Sequence, residues 1–214
     1  MVRRAPRKAK TGRTRNLRLA RSFFERNDSG GPSGSPVVVG LGNPGRSYER
    51  TRHNAGYLVV EELARRHGGS WRRKKKSQVA DVSLGPKNVT LLKPTTFMNN
   101  SGSALAGLRA ETLILVHDDL DLDPGTVRVK VGGGAGGHNG LRSTIQNVGP
   151  DFVRVRIGVG RPPEGTRMTV TDFVLGRMDD AVKDALPRAA DAVEAILDEG
   201  TEGAMNRFNA RNTA

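Results

Sequence analysis

Val37-Val38-Val39-Gly40-Leu41-Gly42-Asn43-Pro44-Gly45 is the stretch on which the fold turns. Three β-branched residues in a row read as a short buried strand, and the glycines after them read as a tight turn at its carboxyl end. Gly40, Gly42 and Gly45 also match Gly-x-Gly-x-x-Gly, the fingerprint of a dinucleotide-binding turn. That fingerprint works only when a helix starts inside the turn, so that its first amides meet the pyrophosphate. Asn43-Pro44-Gly45-Arg46-Ser47-Tyr48 instead reads as turn and loop. The strand and turn are therefore expected to serve a different kind of site.

Outward from this stretch, Val89-Thr90-Leu91-Leu92 and Leu113-Ile114-Leu115-Val116 are further candidate buried strands. Thr126 to Val131 and Val153 to Val159 alternate instead. Val127, Val129 and Val131 oppose Arg128 and Lys130, and Val153, Val155, Ile157 and Val159 oppose Arg154 and Arg156. Both strands are expected to turn a basic face outward. Helical periods run over Ala55 to His67 and over Asp179 to Leu197, and Pro187 is expected to kink or break the second. Strands interleaved with helices predict an α/β fold with a mixed sheet, and 214 residues suit one well-packed domain.

A formal net charge of +13 favours a polyanionic partner, because a basic surface lowers the free energy of approach of phosphates. Much of that charge sits in residues 1–26, which hold ten Lys or Arg against the single acid Glu25. With the Gly-, Ser- and Pro-rich stretch up to Pro36, residues 1–36 read as a basic tail and linker, leaving residues 37–214 as the folded domain. No segment has the roughly 20 apolar residues of a membrane span, and the amino-terminal segment lacks the apolar block of a secretory signal. A soluble, cytoplasmic protein without a membrane partner is expected. The absence of cysteine excludes a thiol nucleophile, a thiolate metal site and a disulfide. Chemistry must come from histidine, carboxylate, hydroxyl or amide groups.

Three segments offer such groups. Gly132-Gly133-Gly134-Ala135-Gly136-Gly137-His138-Asn139-Gly140 is a glycine loop without the Gly-Lys-Ser/Thr ending of a P-loop, yet one that lets backbone amides face a ligand. His117-Asp118-Asp119-Leu120-Asp121-Leu122-Asp123 follows a buried strand, where acids are well placed for a site in an open α/β sheet. These carboxylates could also hold a divalent cation or bond their own turn. His53 and His138 each precede an asparagine near a glycine-bearing turn, whereas His67 ends a helical period. No Gly-x-Ser-x-Gly elbow supports a serine triad.

Taken together, Gly40-Leu41-Gly42-Asn43-Pro44-Gly45, Tyr48, Thr51-Arg52-His53-Asn54-Ala55-Gly56, Lys93-Pro94-Thr95-Thr96-Phe97-Met98-Asn99, His117-Asp118-Asp119-Leu120-Asp121 and Gly136-Gly137-His138-Asn139-Gly140 resemble the bacterial peptidyl-tRNA hydrolases, in the family's order. The likeness covers roughly Val37 to Arg211. It implies a single α/β domain, a twisted mixed sheet flanked by helices, acting as a monomer on peptidyl-tRNA without an obligate protein partner. By matching position it implies that His53 is the general base, that Asp118 holds and polarises it, and that Asn43 helps distinguish blocked from free aminoacyl ends. Tyr48, Phe97, Asn99 and Asn139 would line the site for peptide and terminal nucleotide, with Met98 packed beside them. Arg128, Lys130 and Arg156 match positions where the family grips tRNA phosphate. Two departures stand out: the interval from Ser101-Gly102 to Leu113 is shorter than the family's usual run, and Ala135 replaces a residue that is often histidine.

The residue types suit the implied chemistry. Ester hydrolysis needs a base of near-neutral pKa to take a proton from water as it attacks, and histidine, at about 6.5, meets that need. A carboxylate partner orients the ring and favours the imidazolium as it forms. Amide groups aimed at the developing oxyanion favour the transition state. The scheme requires neither a metal nor another cofactor.

Overall fold

The computed structural model describes residues 34–210. Most of the basic segment read as a tail, residues 1–33, lies outside them. The folded unit takes hold at Pro36, whose carbonyl accepts a hydrogen bond from Thr90 N at 3.1 Å.

Seven strands form one mixed sheet: β1 (Val37–Gly40), β2 (Arg72–Lys74), β3 (Ser77–Leu84), β4 (Lys87–Pro94), β5 (Leu113–Asp119), β6 (Val127–Val131) and β7 (Val153–Gly158). Their spatial order is β2-β3-β4-β1-β5-β7-β6. The four strands β4, β1, β5 and β7 run parallel; β3 is antiparallel to β2 and β4, and β6 to β7. β1 is central because Val38 and Val39 are fully buried and the strand has parallel neighbours on both sides. The chain fills the β4 side first and then crosses to β5, so a topological switch falls at β1, where open α/β sheets form their ligand crevice.

The helices are α1 (Ala55–Arg66), α2 (Asn139–Val148), α3 (Val170–Leu175), α4 (Asp180–Asp198) and α5 (Gly200–Asn209). One face of the sheet packs Val38, Ile114, Val116 and Val155 against α1, α4 and α5. The other packs Val39, Leu41, Leu115 and Phe152 under α2 and a 3-10 segment at Met98–Ala104. The glycines of the opening stretch serve this packing. A Cβ on Gly40 would sit 2.2 Å from the Gly56 carbonyl oxygen, and one on Gly56 would sit 2.3 Å from that of Val116. Two missing side chains thus let α1 lie directly on β1. Only a single 3-10 turn, Arg46–Tyr48, follows Gly45, and α1 begins ten residues beyond Gly45, at Ala55, so no α-helix opens inside the turn as a dinucleotide site would require.

Several expectations are corrected. α4 runs unbroken through Pro187, which lies on the exposed side of the helix together with Lys183, whose carbonyl the proline cannot bond. The stripe of Val182, Ala189, Val193 and Ile196 holds both halves of the helix to the core. β2 and β3, not read from the sequence, add an antiparallel hairpin at one edge. Arg154 does not face outward: it is 3% exposed, lies over the Phe152 ring and donates to the carbonyls of Gly133 and Gly134. The short interval after Ser101 still covers the sheet. Leu105 is fully buried, and Gly102 N donates to Ser143 Oγ at 2.9 Å, where any side chain on Gly102 would strike α2. Among the described residues no helix is long and apolar enough to cross a membrane.

Candidate active site

At the carboxyl ends of β1 and β5 a cleft of about 560 Å³ opens between the Asn-Pro-Gly turn, the glycine loop and α3. Each wall carries polar groups set by local structure. Asp118 lies near the end of β5 and is 2% exposed. His53 sits in a 3-10 turn at Arg52–Asn54 that leads into α1, tied to the rest of the fold by Arg52, whose guanidinium donates to the Phe173 carbonyl and pairs with Asp179.

His53 Nδ1 is 2.9 Å from both oxygens of Asp118. An ionised carboxylate can only accept, so Nδ1 carries the hydrogen and Nε2 keeps its lone pair. Burial by itself would lower the His53 pKa; the charge of Asp118 and its hydrogen bond outweigh it and raise the pKa above the ordinary 6.5. Burial alone would raise the Asp118 carboxyl, yet the facing His53 and His138 hold it well below the usual carboxylate range.

His138 joins this pair in a way the sequence reading did not foresee. Its Nε2 lies 3.0 Å from Asp118 Oδ1, and as N-cap of α2 its Nδ1 accepts from Gly140 N and Leu141 N. Nδ1 is the acceptor, so the proton resides on Nε2 and His138 is a neutral donor to Asp118. Its signal was the His-Asn-Gly ending of the glycine loop, where His138 stands at a helix start. The same tautomer bears on metal binding. The donor atoms of His53, Asp118 and His138 lie within 4.8 Å of one another, but a cation would need the Nε2 lone pair while two amides point at Nδ1. The donor set fits a metal poorly. In the acidic run Asp119 and Asp121 are taken by protein partners: Asp119 pairs with Arg156, Asp121 with Arg161, and Asp119 Oδ1 caps Asp121 N.

Below this pair His117 is fully enclosed. Its Nδ1 donates to the Asp118 carbonyl at 2.7 Å and its Nε2 has no partner. Burial, the largest cause, lowers its pKa to about 3, so it is neutral at physiological pH.

Asn43 is fixed on three sides. Its backbone N donates to Asn54 Oδ1, its carbonyl accepts from Asn54 Nδ2, and its own Oδ1 accepts from Met98 N at 2.8 Å. The side-chain Nδ2 is thereby left as the donor available to a ligand. Met98, Asn99 and Asn139 also line the cleft, with Val170, Val174 and Leu175 as an apolar wall from α3. Arg142 takes the Asn139 oxygen, which again leaves an N–H end free. Tyr48 and Phe97 stand outside the cleft proper, edge to face at 6.3 Å, with Phe97 58% exposed. Lys130, Arg154 and Arg156 form a cationic side of the cleft. Arg128 does not join them; its guanidinium donates to the carbonyls of Phe208 and Ala210 at the end of α5.

A histidine held by a buried carboxylate, amide donors around it and a basic flank, all gathered in one cleft, mark the protein as an α/β enzyme. Comparison with known proteins supplies the particular kind. A family model for peptidyl-tRNA hydrolase matches residues 37–214, and the chain belongs to that family. It is 68% identical over 173 residues to a peptidyl-tRNA hydrolase of Rubrobacter xylanophilus, covering 81% of this chain and 99% of the relative. It is 47% identical over 190 residues to one from an Anaeromyxobacter species, with 83% and 98% covered. The crystal structure of peptidyl-tRNA hydrolase from Acinetobacter baumannii superposes with a TM-score of 0.76 at 36% identity, covering 85% of this chain and 98% of that one.

Proposed function

We propose that this chain hydrolyses the ester joining a peptide to the terminal ribose of tRNA, with His53 activating the water. The observation that carries this reading is the bond of His53 Nδ1 to both Asp118 oxygens, which presents Nε2 as a base. Water attacks the ester carbonyl carbon and gives its proton to His53 Nε2. The carbonyl oxygen becomes an oxyanion within reach of the Asn43 amide. Collapse breaks the bond to the ribose oxygen, which leaves with the proton from His53, so the histidine is restored. Asp118 stabilises the imidazolium between these steps.

In this scheme Asn43, Asn99 and Asn139 hold the peptide backbone with neutral donors, Met98 packs beneath it, and Tyr48 and Phe97 take the terminal nucleotide or outer peptide at the mouth. Lys130 and Arg156 meet phosphate. All the groups come from one chain, which supports a monomer, and a substrate made during translation supports action in the cytoplasm. The test is single-turnover release of N-acetyl-aminoacyl groups from tRNA by the wild-type protein. Tight tRNA binding without release would make the protein a noncatalytic RNA-binding relative.

A further inference from the structure

The hairpin that the sequence reading missed carries five cations in succession, Arg72-Arg73-Lys74-Lys75-Lys76, all exposed. β3 starts, and β4 ends, at the end of the sheet where the cleft opens. The hairpin tip is therefore at that end too, and Lys76 O accepts from Thr95 N at 2.7 Å, two residues before Phe97. The register puts Arg72 and Lys74 on the face that carries Val79, which also bears Lys130, Arg154 and Arg156 at the opposite edge. Four strand spacings separate β2 from β5, so the tip lies about 20 Å to the side of Asp118.

Charged residues on an edge strand commonly do no more than prevent edge-to-edge pairing. Three observations go beyond that. All five charges have one sign. Arg72 pairs with Asp81, but Arg73 and Lys75 have no carboxylate at ion-pair distance among the described residues. Lys75, first of the two turn residues, has φ of 52°, a position that favours glycine or asparagine, yet the chain places a lysine there. We infer that the tip, Arg73-Lys74-Lys75, is a second phosphate-binding surface that grips the body of the tRNA whose peptidyl end is held at His53. The inference rests on the proposed hydrolase reading for its ligand.

The test uses the full chain with Arg73→Gln, Lys74→Gln and Lys75→Asn combined, leaving the bonded Arg72 and Lys76 in place, beside a charge-keeping variant with Arg73→Lys, Lys74→Arg and Lys75→Arg. Binding of deacylated tRNA is measured from 50 to 300 mM salt, with cleavage of whole peptidyl-tRNA and of an N-acetyl-aminoacyl trinucleotide too short to reach the hairpin. The neutral variant is expected to bind tRNA at least about tenfold more weakly with a salt slope lower by about 2 to 3, while the trinucleotide is cleaved at the wild-type rate and the charge-keeping variant behaves as wild type. Unchanged tRNA affinity and slope would overturn the inference, as would loss only of binding to phosphatidylserine vesicles, which would assign the patch to a membrane. Equal loss of trinucleotide cleavage would overturn it too, since the hairpin would then act through the site itself. Failure of the wild-type protein to cleave either substrate counts against the hydrolase reading instead, and the tRNA slopes still decide the hairpin.

Discussion

His53 Nδ1 lies at 2.9 Å from each of the two carboxylate oxygens of Asp118. This symmetric approach fixes the ring plane and leaves one nitrogen to act. His53→Ala is expected to lower single-turnover cleavage by about a hundred- to ten-thousand-fold while tRNA binding persists, the range for a positioned general base. Asp118→Asn keeps the imidazole but weakens its orientation and its cation, so the defect is smaller. Near-normal cleavage by a folded His53→Ala protein would remove this histidine from the role.

The raised pKa of His53 fixes a sign. Cleavage needs the neutral ring, so the rate falls as pH drops, with its midpoint above the 6.5 of ordinary histidine. Asp118→Asn removes the charge that raises it, and the midpoint moves down. The linkage also acts on stability: the His53–Asp118 pair contributes fully below the unfolded pKa, and that contribution is lost as pH rises through the folded one. A pH–rate profile of both proteins checks the direction; an unmoved midpoint would show that another group titrates.

His138 has two tasks that substitution can separate. His138→Asn retains a good N-cap for α2 but withdraws the donor from Asp118 Oδ1, whereas His138→Ala removes both. The melting temperature should fall for alanine, by the equivalent of about 1 kcal/mol, and much less for asparagine. Both variants should shift the acid limb of the cleavage profile upward, because a less solvated Asp118 binds the His53 cation more strongly. An unshifted limb in His138→Asn would confine His138 to capping.

Buried His117 predicts acid lability. Its folded pKa is about 3 against an ordinary 6.5, so the unfolded chain binds the extra proton first and stability is lost as pH falls through that interval. His117→Phe fills the ring volume without a titrating group. Its stability at pH 7 will be lower for want of the bond to the Asp118 carbonyl, but its decline from pH 6.5 to 4 should be shallower. Denaturant titrations across that range decide it, and parallel slopes would contradict the assignment.

Arg128 and Lys130 alternate on the same strand face yet have different partners. Lys130→Gln is expected to lower the salt slope of tRNA binding by about 0.9, one phosphate contact. Arg128→Gln instead releases the carbonyls of Phe208 and Ala210 and should lower the melting temperature with little change in slope. The reverse pattern would put the phosphate grip on Arg128.

The sequence by itself determined the strands β1, β4 and β5, the alternation of β6 and β7, and the helices α1 and α4, all from local signals: β-branched runs, alternation and helical periods. Asn43, His53 and Asp118 stand out as site candidates through the family resemblance of the motifs that carry them. Only the tertiary structure decided which polar groups meet. Asp118 is 65 residues from His53 and 20 from His138, and the three converge because Gly40 and Gly56 let α1 close onto β1 while the glycine loop folds back to start α2. Burial was equally hidden. Arg154 and Arg156 occupy equivalent places in an alternating strand and both line the cleft, but the glycine loop buries Arg154 through its carbonyls while Arg156 stays partly exposed and pairs with Asp119. The edge hairpin escaped notice because β2 is short, basic and exposed, so it has no hydrophobic pattern to read. Its strand character comes from the ladder to β3, a partner that only the folded chain supplies.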